Sequence, residues 1–240
     1  MLYADKMKNT NLFDTSCFIC QRRLAIGQHG ICSLCYRQLP QFCYCGRCGT
    51  ALPEDRLQCG VCLLSPPSWQ QIVFVSAFAE PLRSLIYQFK FNQAYYLDRS
   101  LARWLYLAVR KARCTHQLQL PDLLIPVPLH HQRQWHRGYN QATLLTHYLS
   151  KWLKIPYRDD VVVRYRATET QRGKNAIQRQ QNLAQAFILQ KPLPKTVTSV
   201  AIIDDVITTG TTMTEICHCL QREGITEIQV WALCKTQKID

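Results

Sequence analysis

Four pairs of cysteines, each with the spacing C-x-x-C, lie close together near the start of this 240-residue chain. Two residues between thiolates let both sulfurs of a pair reach one ion from a tight turn, and two such pairs complete a tetrahedral site for Zn²⁺. The sequence therefore predicts two structural zinc sites with four thiolates each. The ligands are Cys17, Cys20, Cys32, Cys35, Cys45, Cys48, Cys59 and Cys62.

The order in which the pairs combine has two solutions. The sequential one places 17–35 on one ion and 45–62 on the other, and the interleaved one combines the first pair with the third and the second with the fourth. Cys43 lies two residues before Cys45 and is left free, because Gly46 after Cys45 suits the turn of a zinc knuckle. Four thiolates leave no open position for water, so no metal chemistry is expected.

The cysteine distribution also predicts a domain boundary. Nine of the thirteen cysteines precede residue 63, which divides the chain into a double zinc-ribbon module (1–65) and a main domain (66–240). Zinc would replace the core that so short a module cannot build alone. With no run of 18 apolar residues, no signal peptide and thiols that a reducing compartment keeps free, we expect a cytoplasmic protein without a membrane span.

In the main domain, segments with the pattern of strands alternate with segments that have an apolar helical stripe. This alternation predicts an α/β fold, in which helices cover both faces of a parallel sheet. The predicted strands are 72–78, 122–129, 161–165, 200–204 and 227–234, and the predicted helices are 81–91, 96–113, 141–153, 175–187 and 211–223.

The segment 200–212 reads VAIIDDVITTGTT: an apolar strand with two acids, a turn rich in threonine, and the start of a helix. Backbone N–H groups at a helix start can hold a phosphate, and two carboxylates can accept hydrogen bonds from vicinal hydroxyls. The pattern predicts a site for a phosphorylated sugar. The glycine motifs of Walker A and Rossmann nucleotide sites are absent from the sequence.

This segment resembles the phosphoribosyl pyrophosphate (PRPP) motif of type I phosphoribosyltransferases. The resemblance implies that Asp204 and Asp205 bind the ribose hydroxyls and are the catalytic acids. It assigns the 5′-phosphate to the loop formed by Thr208, Thr209, Gly210, Thr211 and Thr212.

The whole chain resembles the ComF/GntX family of bacterial competence and DNA-utilisation proteins. The matching pieces, in order, are the cysteine pairs, PVPL at 126–129, RGYNQ at 137–141, the stretch 166–171 and the PRPP motif. The family implies a type I phosphoribosyltransferase-like parallel sheet flanked by helices, with a small N-terminal zinc-ribbon module. It also implies that Arg133, Arg137 and Gly138 form a loop for the diphosphate and its Mg²⁺, although these residues could instead form a solvated basic face.

A second basic segment corresponds to the mobile loop of phosphoribosyltransferases. The resemblance assigns Arg164, Arg166 and Arg172 to this loop, and a flexible charged surface loop is the alternative. Lys90 lies in the region of the hood and could either reach the ligand or extend from a helix end into solvent.

Two functions fit these features. The first is an enzyme that transfers phosphoribosyl from PRPP to a nitrogen acceptor and releases pyrophosphate. The second is a non-catalytic PRPP sensor of DNA uptake that binds single-stranded DNA, with DNA-uptake or helicase proteins as further candidate partners. Supporting the second are the net charge of +13, the excess of Lys and Arg in residues 128–191, and Trp135 and Tyr139 as candidates for base stacking.

Overall fold

The computed structural model describes residues 16–129, 138–165 and 186–237. Its helices are α1 (Ser33–Arg37), α2 (Gly60–Leu64), α3 (Leu82–Phe91), α4 (Asp98–Thr115), α5 (Gln141–Leu153) and α6 (Thr211–Arg222). Its strands are β1 (Gln71–Ala77), β2 (Leu123–Pro126), β3 (Val162–Arg164), β4 (Phe187–Leu189), β5 (Ser199–Ile207) and β6 (Glu227–Lys235). Short 3-10 turns occupy Gly27–His29 and Tyr95–Leu97.

Four strands form a parallel sheet in the order β1-β6-β5-β2. Successive side chains of a strand point to opposite faces, and β5 shows the consequence. Ala201 and Ile203 pack into a core with α3, α4 and α5, whereas Val200 and Ile202 pack into a second core with α6. Both faces are therefore covered, which confirms the predicted α/β fold.

The strand that carries the acid pair is longer than predicted. It continues to Ile207, because Val206 and Ile207 keep the parallel register with Cys234 and Lys235 of β6. The prediction that this strand ends at residue 204 is wrong. Both acids lie within its last residues, where strand pairing holds their backbone.

A small antiparallel hairpin, β3 paired with β4, lies beside the main sheet. The predicted helix 175–187 is wrong at its end, because Phe187 opens β4 and pairs with Arg164 of β3. Phe187 is buried in the core with α6, and that packing outweighs the local helical pattern. Residues 175–185 lie outside the described part of the chain.

The cysteine-rich region packs onto the main sheet layers. Leu24 and Ile31 share a buried cluster with Leu101 and Leu105 of α4. The boundary between residues 65 and 66 therefore remains a prediction that the cysteine-rich region and the main domain fold independently. Among the helices that the structure describes, none combines the length and the apolar character needed to cross a bilayer.

Candidate functional site

The first four cysteines converge on one point. The Sγ atoms of Cys17, Cys20, Cys32 and Cys35 all lie within 4.8 Å of one another. Sγ of Cys17 is 3.8 Å from that of Cys35, and Sγ of Cys20 is 3.7 Å from that of Cys32. A tetrahedral zinc ion with Zn–S bonds of about 2.3 Å needs its sulfurs about 3.8 Å apart. The donor set and its spacing fit zinc.

The second four cysteines form a matching group. Cys45, Cys48, Cys59 and Cys62 also lie within 4.8 Å, with Sγ–Sγ distances of 3.9 Å for Cys45–Cys62 and 3.8 Å for Cys48–Cys59. The structure thus combines the pairs in sequential order rather than interleaved. Cys43 belongs to neither group.

The thiols of both groups have unequal pKa values. Burial raises the pKa of Cys35 and of Cys62. Burial acts the same way on Cys17, but hydrogen bonds from backbone N–H groups outweigh it and lower the pKa of Cys17 to about 6. For Cys48, hydrogen bonds from Thr50 outweigh burial and lower the pKa to about 7. Each group therefore includes one cysteine whose pKa is lowered, which favours the thiolate form that binds metals.

The acid pair on β5 is asymmetric. Asp205 is almost fully buried, with 5% of its surface exposed, and its carboxylate Oδ1 is 2.8 Å from Nζ of Lys90 in the last turn of α3. Asp204 is partly exposed, and its Oδ1 accepts a 2.8 Å hydrogen bond from the Asp205 N–H. Burial, followed by the neighbouring Asp205 charge, raises the pKa of Asp204 well above the ordinary range, although Lys90 opposes this rise. Such a carboxyl can hold a proton near neutral pH.

The threonine-rich loop follows β5 directly and opens α6. Thr208 and Thr209 are exposed. Gly210 adopts φ +80°, a backbone conformation that is strained in residues with a side chain. The Thr209 and Thr211 hydroxyls are 2.8 Å apart, and Thr209 Oγ1 also accepts from the Thr211 N–H at 3.5 Å. The first turn of α6 carries no acid, so its N–H groups and hydroxyls form a surface suited to an anion. Thr212 lies in that same turn.

The segment before α5 is anchored rather than open. Asn140 caps α5 by accepting from the Ala142 N–H at 3.0 Å, and its amide donates to the Val127 carbonyl at 2.9 Å. Tyr139 is half-buried, and its hydroxyl donates to the Phe89 carbonyl at the end of α3. The ring of Tyr139 therefore packs within the structure, which limits the face that it can offer for base stacking. Gly138 is exposed with φ +79°.

Arg164 lies in β3 and not in a loop, which corrects its assignment to a mobile segment. Pairing with Phe187 of β4 fixes its backbone, and its guanidinium carbon is 5.6 Å from the centroid of the Phe187 ring. The remaining predicted residues of the basic loops lie outside the described part of the chain. These are Arg133, Trp135, Arg137, Arg166 and Arg172.

Sequence reasoning missed Trp69, which lies just after the predicted domain boundary at residue 65. Trp69 is buried, with 6% of its surface exposed, and its ring lies against Gly210 of the threonine-rich loop. The nearest signal in the sequence is a large aromatic side chain in a segment rich in Ser and Pro. A large aromatic side chain predicts burial, but it does not identify the residue against which the ring packs.

The amino-acid sequence matches one known domain family and several known proteins. Residues 140–238 match the phosphoribosyl transferase domain family. Competence protein F of Haemophilus influenzae is 49% identical over 228 residues, which cover 94% of this chain and 99% of that protein. The DNA utilization protein YhgH of Escherichia coli K12 is 43% identical over 221 residues, which cover 92% of this chain and 96% of that protein.

Solved structures give a weaker likeness. The purine phosphoribosyltransferase of Pyrococcus horikoshii Ot3 aligns with a TM-score of 0.36 and 17% sequence identity, over 60% of this chain and 79% of that one. The assignment therefore depends on the curated relatives, which match over almost the full length. On that ground, this chain belongs to the family of competence protein F and its DNA-utilisation relatives, and its residues 140–238 match the phosphoribosyl transferase domain.

Proposed function

We propose that this protein binds PRPP at the carboxyl end of β5 and transfers its phosphoribosyl group to a nitrogen acceptor. One observation carries the proposal: the acid pair Asp204 and Asp205 leads within three residues into the threonine-rich loop at the start of α6. A ribose 5-phosphate needs hydroxyl acceptors and a phosphate cradle at this short separation. The loop of 208–212 takes the 5′-phosphate, and the acids take the ribose hydroxyls.

In the proposed reaction, the bond between ribose C1 and the diphosphate oxygen breaks while the nitrogen forms its bond to C1. Pyrophosphate leaves with the bonding electron pair, and positive charge develops on the sugar ring. The carboxylate of Asp205 stabilises this charge through the ribose. Asp204 in its ionised form accepts the proton that the nitrogen loses, and its raised pKa makes it a stronger base than an ordinary carboxylate.

We assign the diphosphate to the basic segment 133–138, which precedes α5. Arg133, Arg137 and the backbone at Gly138 supply the positive charge and N–H donors that a leaving pyrophosphate needs. Mg²⁺, bound to the diphosphate oxygens of the substrate, would neutralise part of the same charge. Arg166 and Arg172 follow β3 in sequence and are proposed to close over the bound substrate, and Arg164 serves as the fixed base of that segment.

Lys90 has a role in the same site. Its ammonium neutralises Asp205 at 2.8 Å, and only 23% of its side-chain surface is exposed. This ion pair offsets part of the cost of burying the Asp205 side chain. When PRPP enters, the ammonium also lies close to an incoming phosphate group, since it sits beside the acid that binds the ribose.

Both cysteine groups are proposed to bind Zn²⁺. The support is the sulfur separation of 3.7–3.9 Å in each group and the backbone N–H groups that point at the sulfurs. The sites are structural, because the four thiolates fill the coordination sphere. Eight such thiolates stay reduced in a cytoplasmic environment, which is where we place the protein.

The names of the relatives suggest the biological setting. Competence protein F and the DNA utilization protein YhgH are full-length relatives of this chain. We therefore assign the protein to natural transformation or to the use of external DNA. The transfer reaction would act on a nitrogen acceptor that becomes available during that process.

The test of catalysis is pyrophosphate release. The zinc-loaded protein is incubated with PRPP, Mg²⁺ and each of a panel of nucleobases, and pyrophosphate is measured over time. Release that depends on one acceptor, and that Asp204→Asn slows while PRPP still binds, supports the enzyme. The control is Asp160→Asn, which changes a surface acid paired with Arg158 and Lys191. PRPP binding without release from any acceptor contradicts the transferase.

A second candidate function has its own observation. Four exposed aromatic side chains form one stretch along the second half of α3 and the 3-10 turn that follows it: Tyr87, Phe91, Tyr95 and Tyr96, each with 55–61% of its surface exposed. The Tyr87 and Phe91 rings are 5.0 Å apart, and Tyr95 lies 6.5 Å from the ring of Tyr139. Exposed rings on a protein of net charge +13 suit the bases and phosphates of single-stranded DNA.

This candidate is tested by fluorescence anisotropy with labelled single-stranded DNA at several salt concentrations. Binding that weakens steeply with salt, and that Tyr95→Ala with Tyr96→Ala reduces, supports a PRPP sensor that contacts DNA. Equal affinity of the variant and the wild type would remove the aromatic stretch from the interface. Repeating the titration with PRPP present shows whether the two ligands are coupled.

A further inference from the structure

The indole ring of Trp69 joins two parts of the molecule that lie far apart in sequence. Its Nε1–H donates a 2.8 Å hydrogen bond to the carbonyl of Arg47. Arg47 stands between Cys45 and Cys48, inside a knuckle of the second cysteine group. One edge of the ring is thus bound to the backbone that folds around the metal ligands.

The opposite edge of the same ring contacts the threonine-rich loop. A Cβ built on Gly210 would lie 2.8 Å from Cη2 of Trp69 and 3.5 Å from Cζ3. The ring therefore occupies the space beside Gly210 and limits how far its backbone can move toward the core. The backbone conformation at Gly210 sets the direction of the N–H groups that follow it. The ring therefore also limits that direction.

The knuckle itself is fixed to the main sheet. The Ile72 N–H of β1 donates to the Gly46 carbonyl at 2.8 Å, and the Gln237 amide donates to the Gly49 carbonyl at 3.2 Å. A Cβ on Gly49 would lie 2.8 Å from Cδ of Lys235, at the end of β6. The second cysteine group is thus a rigid support from which Trp69 reaches the loop.

The first cysteine group contacts different elements. Tyr36 of α1 packs on Trp104 of α4 with ring centroids 5.6 Å apart, and Gln28 accepts a 2.7 Å hydrogen bond from Arg99 at the start of α4. A Cβ on Gly30 would meet Ser100 of the same helix. These contacts join the first cysteine group to α4. The contact with Gly210 belongs to the second group.

We propose that Trp69 is a positioning residue for the phosphate loop, and that the second cysteine group sets the place of Trp69 through the Arg47 carbonyl. Loss of the metal from this group alone would release the ring, widen the loop and weaken the binding of a phosphate ester. The inference rests on the proposed role of 208–212 as the phosphate loop. It makes the second metal site a determinant of ligand affinity, whereas the first supports only the fold.

The first test substitutes the tryptophan. Trp69→Phe removes the hydrogen bond to Arg47 and leaves space beside Gly210. Trp104→Phe is the matched control, because Trp104 is fully buried in α4 and packs against the first group. Both variants are measured for zinc content, for hydrogen exchange of the peptide spanning 207–213 without ligand, and for PRPP affinity by calorimetry.

In the Trp69→Phe variant we expect two zinc ions to remain, loop amides to exchange faster, and the PRPP dissociation constant to rise about threefold to tenfold. Trp104→Phe should lower thermal stability but leave both loop exchange and PRPP affinity at the wild-type values. Unchanged loop exchange and affinity in Trp69→Phe would overturn the proposal. So would an equal loss of affinity in both variants.

The second test removes one metal at a time. Cys59→Ser and Cys32→Ser change the third cysteine of each group, and each should reduce the zinc content from two ions to one. Only Cys59→Ser should speed loop exchange, and combining it with Trp69→Phe should add little, since both act through the same contact. Equal effects of the two cysteine variants on the loop would contradict the proposal. If either variant fails to fold, the tryptophan comparison decides alone.

The two readouts separate this inference from the proposed function. Loop exchange requires no ligand, whereas calorimetry requires PRPP. If the wild-type protein binds no PRPP but loop exchange still responds to Trp69→Phe and Cys59→Ser, the coupling stands and the assignment of the ligand fails.

Discussion

The two halves of the candidate site are held by different physical means. The phosphate loop is held by packing: the neutral ring of Trp69 fills the space at Gly210. The acid pair is held by charge: Lys90 neutralises the buried Asp205, and Asp204 lies beside it. The loop half should therefore respond to changes in volume and metal content, and the acid half to changes in charge and pH. This difference can be tested at each half separately.

The largest expected effect comes from the support of the loop half. Cys45→Ser should release one zinc ion and lower the free energy of unfolding by about 4 kcal/mol or more, because a metal site holds together chain that has little core of its own. Wild type and variant are compared at one pH, because thiolate ligands bind zinc more tightly as the pH rises. Chemical denaturation with zinc analysis measures both quantities. An unchanged zinc content, or an unchanged free energy of unfolding once zinc is lost, would contradict this account of the support.

Lys90→Met tests the acid half. The variant leaves Asp205 buried without its cation, so we expect a loss of about 3 kcal/mol of unfolding free energy at pH 8. Lys90 lowers the pKa of Asp204, so removing it raises that pKa further and the folded state takes up a proton more readily. The loss should therefore shrink as the pH falls toward 5.

Lys111→Met, which removes an exposed lysine from α4, provides the control for Lys90→Met. It should change stability by less than about 0.5 kcal/mol at either pH. If Lys90→Met were as harmless as this control, the ion pair could not be what holds the acid half. The comparison between the two halves would then fail.

Gly210→Ala tests packing in the loop half directly. The new Cβ would strain a backbone at φ +80° and would lie 2.8 Å from Trp69, so we expect a loss of about 2 kcal/mol. Adding Trp69→Phe removes the atom that the Cβ meets, and part of the loss should return. The part caused by the backbone conformation should remain. Thermal unfolding of the four proteins of this cycle measures the coupling.

Gly138→Ala is the matched control for Gly210→Ala. Gly138 has φ +79°, and no atom of the residues that the structure describes lies within 4 Å of a Cβ built there. The Gly138→Ala variant therefore measures the cost of backbone strain without a steric contact. Adding Trp69→Phe should not change that cost. If Trp69→Phe improved both alanine variants equally, the contact at Gly210 would not be specific.

The smallest expected effect is a gain of stability. The pKa of Asp204 is raised in the folded protein, so the folded state holds a proton that the unfolded chain releases once the pH exceeds the ordinary value of about 3.9. Stability contributed by this group therefore falls as pH rises from that value to the raised pKa. Asp204→Asn removes the penalty, and its advantage should be about 1 kcal/mol at pH 8 and smaller at pH 5.

Denaturant unfolding of wild type and Asp204→Asn at both pH values checks this sign. An advantage that grew toward pH 5 would mean that Asp204 is stabilised as an anion, contrary to its raised pKa beside Asp205. Together with Lys90→Met, the result shows whether the raised pKa of Asp204 lowers the free energy of unfolding.

The parts of the fold that were predicted from sequence are those with a local signal. Helix α5 was predicted at its observed limits of Gln141–Leu153, because its apolar stripe is regular and Asn140 supplies a cap. The four cysteine pairs and the PRPP motif are contiguous, so their chemistry can be read residue by residue. Phe187 was assigned to a helix because its strand partner, Arg164, is distant in sequence.

The parts that sequence could not give are contacts between distant residues. The pairing of Lys90 with Asp205 spans 115 residues, and no local pattern chooses this partner over solvent. Trp69 meets Gly210 across 141 residues, and its aromatic ring predicts burial without naming the neighbour. Both contacts depend on how β1, α3 and β5 are ordered around the sheet, which is a property of the complete fold.

The central claim is that PRPP binds at the junction of the two halves, and calorimetric titration of the zinc-loaded protein with PRPP and Mg²⁺ tests it most directly. Asp204→Asn with Asp205→Asn should weaken binding on the order of 100-fold or more, because two charge-assisted contacts are lost. Asp159→Asn with Asp160→Asn makes the same change in the adjacent acids before β3 and should leave binding intact. No binding by the folded wild type, or equal binding by both double variants, would contradict the account.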